Sequence, residues 1–149
     1  FILNFFNKLY LGDSGSYLLG LLFSLYLIDT YQINSEISPF FIICLLWYPA
    51  FENLFSIFRK MQISRSPVKP DTNHLHQLIF FHLKSIFKGN SFYLNTFTGI
   101  LINTYNLLSI LFATQFYNNT QVQVLIIIFN VTLYIFIYTK LFLRKIKKF

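Results

Sequence analysis

Ser66-Pro67-Val68-Lys69-Pro70-Asp71-Thr72-Asn73-His74-Leu75-His76-Gln77 sits in the middle of a polar stretch, Arg59 to Ser91, within an otherwise very apolar sequence. The stretch carries all three histidines, two of the four prolines and six of the twelve lysines and arginines. Long apolar runs flank it on both sides. It therefore reads as the large loop of a membrane-embedded helical protein. A second short polar element, Gly12-Asp13-Ser14-Gly15-Ser16, is expected on the same face of the bilayer.

Composition supports lipid as the solvent. Of the 149 residues, 55% are hydrophobic and only 11% are charged. Ordinary soluble domains carry about 25% charged residues. A chain this poor in polar groups lacks the surface to cover a water-soluble globule. Aromatic content is high, with 20 Phe and 10 Tyr, and is put down to residue bias in the source genome. The single cysteine, Cys44, lies in an apolar run and reads as a buried small side chain, which excludes an internal disulfide framework.

Working outward from the loop, hydropathy places four spans at about 14–31, 39–58, 92–116 and 122–142, with the loop at 59–91. Ser14 or Ser16 suits the cap of the first helix, and Pro39 suits the first turn of the second. Pro49 is expected to kink the second span. The fold class is therefore all-α, a polytopic integral membrane protein. The connections after the first and third spans contain neither Lys nor Arg. All twelve basic residues fall on the other side. By the positive-inside rule, the Asp13 turn, the central loop and the C-terminus are cytoplasmic. That topology explains the net charge of +7, so nucleic acid is not an expected partner. Membrane lipid is. The chain begins at Phe1, and its first apolar run is too short to span. It is expected to be the C-terminal part of a longer protein without a signal peptide.

Five acids are present: Asp13, Asp29, Glu36, Glu52 and Asp71. Asp13 stands between glycines at a helix start. A carboxylate there can simply favour the helix dipole, or the glycines can let a phosphate or metal approach the backbone. Glu52 lies within a span, where an acid is costly unless it faces protein, a cation or water. A pairing role inside the bundle is as good a reading as a functional one. His74 and His76 alternate and in an extended loop would share a side. They can contact phosphate or titrate near neutrality, but a solvated loop is the plainer reading, and zinc lacks further ligands. His82 reads as a helix-surface or interfacial residue. Arg59, Lys60, Arg65 and Lys69 can bind anionic lipid head groups or clamp a pyrophosphate.

Two motifs together narrow these alternatives. Leu11-Gly12-Asp13-Ser14-Gly15-Ser16 resembles the Gly-Asp-x-Gly-Ser motif of the polyprenyl-phosphate N-acetylhexosamine-1-phosphate transferases. Ser66 to Leu78 resembles that family's cytoplasmic histidine loop. Pro49-Ala50-Phe51-Glu52, followed by Arg59-Lys60, resembles its Pro-x-x-acid helix with trailing basic residues. The resemblance covers about residues 9–83.

It implies transfer of a sugar 1-phosphate from a UDP-N-acetylhexosamine, UDP-GlcNAc foremost, to undecaprenyl phosphate in a bacterial inner membrane. UMP is released, and the step initiates lipid-linked glycan synthesis such as that of O-antigen. Magnesium, with manganese as a substitute, is the implied cofactor, held by Asp13. His74 and His76 are implied as catalytic residues. Arg59, Arg65, Asp71, Gln77 and Ser16 are implied around the substrates, Glu52 as a support of the cleft, and a homodimer is compatible with the family. Gln77 stands where the family often has a third histidine, Thr72 where it often has arginine, and Glu52 where it often has aspartate. These departures leave the phospho-MurNAc-pentapeptide transferases as the runner-up, and a non-catalytic membrane module with an anion-binding loop as the alternative outside enzymes. The family's paired-aspartate motif and its Asn/Asp-rich loop are absent from this sequence, so the chain alone is expected to bind UDP-sugar poorly.

Overall fold

The computed structural model describes residues 12–62, 73–87 and 89–148, apart from the side chains of Asp13 and Lys148. Five helices make up the fold: α1 (Gly12–Ile33), α2 (Pro39–Gln62), α3 (Leu75–Ile86), α4 (Ser91–Thr114) and α5 (Thr120–Lys148). No strand occurs among the described residues. The all-α membrane class expected from composition is therefore correct.

Three helices, α2, α4 and α5, are long and apolar enough to cross a membrane. α1, at 22 residues, also has the length, about 33 Å at 1.5 Å per residue. Its serines, Thr30 and Asp29 dilute its apolar character. The helices carry exposed leucine, isoleucine and phenylalanine on their outward faces, among them Leu22, Leu108, Leu111, Leu125 and Phe129. Such a surface suits lipid contact.

Helix ends follow local chemistry. Gly12 has φ +68°, a left-handed conformation that a side chain resists, which explains glycine at the start of α1. Pro39 opens α2, where its missing N–H costs nothing. α2 continues through Pro49 as one helix. Asn90 caps α4 by accepting from the Phe92 N–H, and Asn119 does the same for Val122 of α5.

The segment 59–91, read from sequence as one loop, contains α3. Helix α2 also runs on to Gln62 and α5 to Lys148, past the expected ends at 58 and 142. α3 is too short to span. It forms because Leu75, Leu78 and Ile79 recur at helical spacing and have a surface to bury against. Leu75 and Leu78 pack with Trp47 of α2 and Tyr134 and Tyr138 of α5. Aromatic rings fill this seam. Phe51 meets Tyr134 edge-on at 5.0 Å, Phe55 meets Tyr138 at 4.8 Å, and Tyr138 stacks on Phe142 at 5.7 Å. Residue bias alone therefore does not account for the aromatic content, because these rings pack the interface on which α3 sits.

At the opposite end, the two connections without Lys or Arg meet. The Ser38 N–H donates to the Tyr117 carbonyl at 2.9 Å, and the Ser38 and Thr120 hydroxyls lie 2.9 Å apart. Buried Gln123 donates from Nε2 to the carbonyls of Ala113 and Phe116, closing the end of α4. Gln123→Leu is expected to remove both side-chain bonds, leaving the two carbonyls only the Phe116 and Asn119 N–H donors, and to cost about 1–3 kcal/mol, read as a lower melting temperature in detergent.

Candidate functional site

The site is built around one buried carboxylate. Glu52, 8% exposed, points from α2 towards the start of α3 and the side of α5. Its Oε1 accepts from His74 Nδ1 at 2.9 Å and from the Leu75 N–H at 3.1 Å. Its Oε2 accepts from the Tyr134 hydroxyl at 2.6 Å. One carboxylate thus joins three helices. It also satisfies an orphan N–H at the start of α3, where the helix dipole favours negative charge.

A second set of contacts holds the chain just before α3. Arg59 Nη1 donates to the Asn73 carbonyl at 2.8 Å and to the Tyr138 hydroxyl at 2.6 Å. Lys145 Nζ donates to Asn73 Oδ1 at 2.7 Å. Gln77 Oε1 accepts the His74 backbone N–H at 3.2 Å.

Between these clamps the two histidines are placed side by side. His74 precedes α3 with extended backbone geometry, φ −69° and ψ 150°, and His76 lies in the first helical turn. The expected extended His-x-His loop is therefore replaced by a helix start. The shared side survives, since the rings stack with centroids 5.6 Å apart and planes 16° apart. The bond from Nδ1 to Glu52 sets the His74 tautomer. Nε2 of a partly exposed ring then has no protein partner among the described residues.

Comparison with known proteins bears on what this arrangement is for. The chain is 32% identical over 81 residues to a decaprenyl-phosphate N-acetylglucosaminephosphotransferase of Mycolicibacterium smegmatis, covering 46% of this chain and 20% of that protein. It is 32% identical over 73 residues to the undecaprenyl-phosphate α-N-acetylglucosaminyl 1-phosphate transferase of Escherichia coli K12, covering 48% and 20%. Over about half its length, the chain is similar to polyprenyl-phosphate N-acetylglucosamine-1-phosphate transferases. A Thermotoga maritima transferase of the same name is 31% identical over 71 residues, covering 48% and 23%. The match thus spans about a fifth of the length of these transferases. No protein-family model and no solved structure matches the chain.

His74, His76, Gln77, Glu52 and Arg59 converge at the start of α3. Asp13 lies in the first turn of α1 with its side chain outside the described residues, and Ser16 is exposed one turn on. Arg65 and Asp71 also lie outside the described residues. Asn73, Tyr134, Tyr138 and Lys145 were not singled out from sequence. A Tyr pair four residues apart in an apolar helix carries no signal that separates it from ordinary packing.

Burial holds the His76 imidazole below its ordinary value of 6.5. The Glu52 carboxylate draws it back up, and the His74 ring pushes it further down. The ring is therefore neutral at pH 7. A depressed histidine contributes stability above the ordinary value, and that contribution is lost as pH falls through the lowered one. A ring-proton titration followed by NMR is expected to give His76 a midpoint below 6.5.

Proposed function

We propose that this protein transfers N-acetylhexosamine 1-phosphate, with N-acetylglucosamine as the sugar, from its UDP derivative to undecaprenyl phosphate, releasing UMP. The reading rests on the names of the relatives together with one observation: His74 is fixed by Glu52 through Nδ1 and keeps Nε2 for a ligand. In the reaction, an oxygen of the lipid phosphate attacks the β-phosphorus of the UDP-sugar. The bond from that phosphorus to the bridging oxygen breaks, and the bridging oxygen leaves on UMP. Nε2 of His74 would face the substrates while Glu52 holds the ring from behind through Nδ1. His76 adds a neutral hydrogen-bonding group beside it. Arg59 keeps Asn73, and so the entry to α3, in place.

Magnesium is part of the proposal through Asp13. Among the described residues no three His, Cys, Asp or Glu side chains come together as a metal set. Glu52 is already committed to three protein donors. In this reading the α3 end of the bundle faces the cytoplasm of a bacterial inner membrane. The support is that Arg59, Lys60, Lys84, Arg144, Lys145 and Lys147 crowd that end, whereas the Ser38–Tyr117 end has no Lys or Arg.

The experiment is UMP release by the full-length gene product in detergent, with undecaprenyl phosphate, magnesium and a panel of UDP-N-acetylhexosamines. Release with UDP-N-acetylglucosamine that collapses in Asp13→Asn supports the proposal. Release only with UDP-MurNAc-pentapeptide would move the donor to the peptidoglycan precursor. No release with any donor would leave a non-catalytic membrane module.

A further inference from the structure

A groove of about 600 Å³ lies between α3 and the C-terminal end of α5, away from the His74 ring. Its floor is apolar, from Leu78, Phe81 and Leu141, and its rim is basic, from Arg144, Lys145 and Lys147, with His82 beside them. Among the described residues no carboxylate lines it. Two contacts hold cations over the groove. Arg144 Nη1 donates to His82 Nε2 at 3.2 Å, and the Lys145 ammonium sits 5.0 Å from the centre of the Phe81 ring. The rim falls at the end of α5, just past the apolar part of a membrane-crossing helix. Phosphate head groups lie at that depth, with acyl chains beside the apolar floor.

We propose that this groove binds one anionic membrane phospholipid, its phosphate on Arg144 and Lys147 and an acyl chain along Phe81 and Leu141. The lipid would brace α3 against α5. The charge pattern selects a phosphate-bearing lipid of net negative charge over a zwitterionic one, because the described lining holds Arg144, Lys145 and Lys147 and no carboxylate. Apolar walls select a lipid over free phosphate. The inference depends on α5 crossing the bilayer and not on the transfer reaction.

The test is native mass spectrometry of the purified protein titrated with phosphatidylglycerol, and with phosphatidylcholine, undecaprenyl phosphate and inorganic phosphate as separate arms. One phosphatidylglycerol is expected to be retained. In the double variant Arg144→Gln, Lys147→Gln its binding is expected to be roughly thirty-fold weaker. The double variant Lys84→Gln, Lys140→Gln removes equal charge outside the groove and is expected to bind as the unaltered protein does. Arg144 and Lys147 are both exposed, and circular dichroism checks that each variant folds. The proposal is overturned by equal weakening in both variants, by equal retention of phosphatidylcholine, by displacement with millimolar inorganic phosphate, or by retention of undecaprenyl phosphate alone.

Discussion

Glu52→Ala is expected to undock α3 from the bundle. The substitution strips partners from His74 Nδ1, the Leu75 N–H and the Tyr134 hydroxyl at once. Two of these groups belong to buried residues, Leu75 and Tyr134, so water does not readily replace the lost carboxylate. Removing one member of such a buried network costs about 3–5 kcal/mol. The loss concentrates on α3, which has one apolar stripe and 12 residues, too few to hold a helix by themselves. Hydrogen exchange of peptides covering residues 73–86 is expected to rise sharply, while peptides from α4 and the far half of α5 change little. Glu52→Gln separates charge from geometry. Its oxygen can still accept from Leu75 and His74, and its amide can donate to the Tyr134 oxygen. Exchange in α3 should then stay close to that of the unaltered protein. Unchanged exchange in Glu52→Ala would show that the aromatic seam alone docks α3.

In the proposed transfer, His74→Ala is expected to give the largest loss outside the turn around Asp13, about 10²–10⁴-fold in UMP release at saturating substrates. Position is the reason. His74 combines an anchored nitrogen, a free one and partial exposure at the start of a helix. Tyr134→Phe discriminates a positioning role from a packing one. It keeps the ring in the seam and removes only the 2.6 Å bond to Glu52 Oε2. A hydrogen bond to a charged group contributes about 1.5–3 kcal/mol. A roughly ten-fold fall in turnover of the folded variant, beyond the expected fall in melting temperature, would fit a loosened Glu52. A fall in melting temperature with unchanged turnover would assign the Tyr134 bond to stability alone.

Much of this architecture was legible before any coordinates. Hydropathy located the long helices because lipid-exposed helices must be apolar along their whole length. Pro39 marked the start of α2 to the residue. Glu52 stood out because an acid inside an apolar run needs a partner. The identity of that partner was not legible, since His74, Leu75 and Tyr134 lie 22, 23 and 82 residues away in sequence. α3 was hidden for a related reason. Its helical character depends on burying Leu75 and Leu78 against rings from two other helices. Lys145 looked like one of several topology-setting charges, and only packing reveals that it holds Asn73. The cap of the first helix was expected at Ser14 or Ser16, whereas α1 begins at Gly12 with both serines inside it, and the positive φ of Gly12 gives the physical reason for its glycine.

The most direct test of the central claim is histidine ring-nitrogen NMR on the full-length protein, with and without UDP-N-acetylglucosamine. His74 is expected to carry its proton on Nδ1, bonded to Glu52, and its Nε2 resonance to shift when the nucleotide sugar is added. A His74 protonated on Nε2 alone in the free protein, or an Nε2 resonance indifferent to saturating nucleotide sugar, would contradict it.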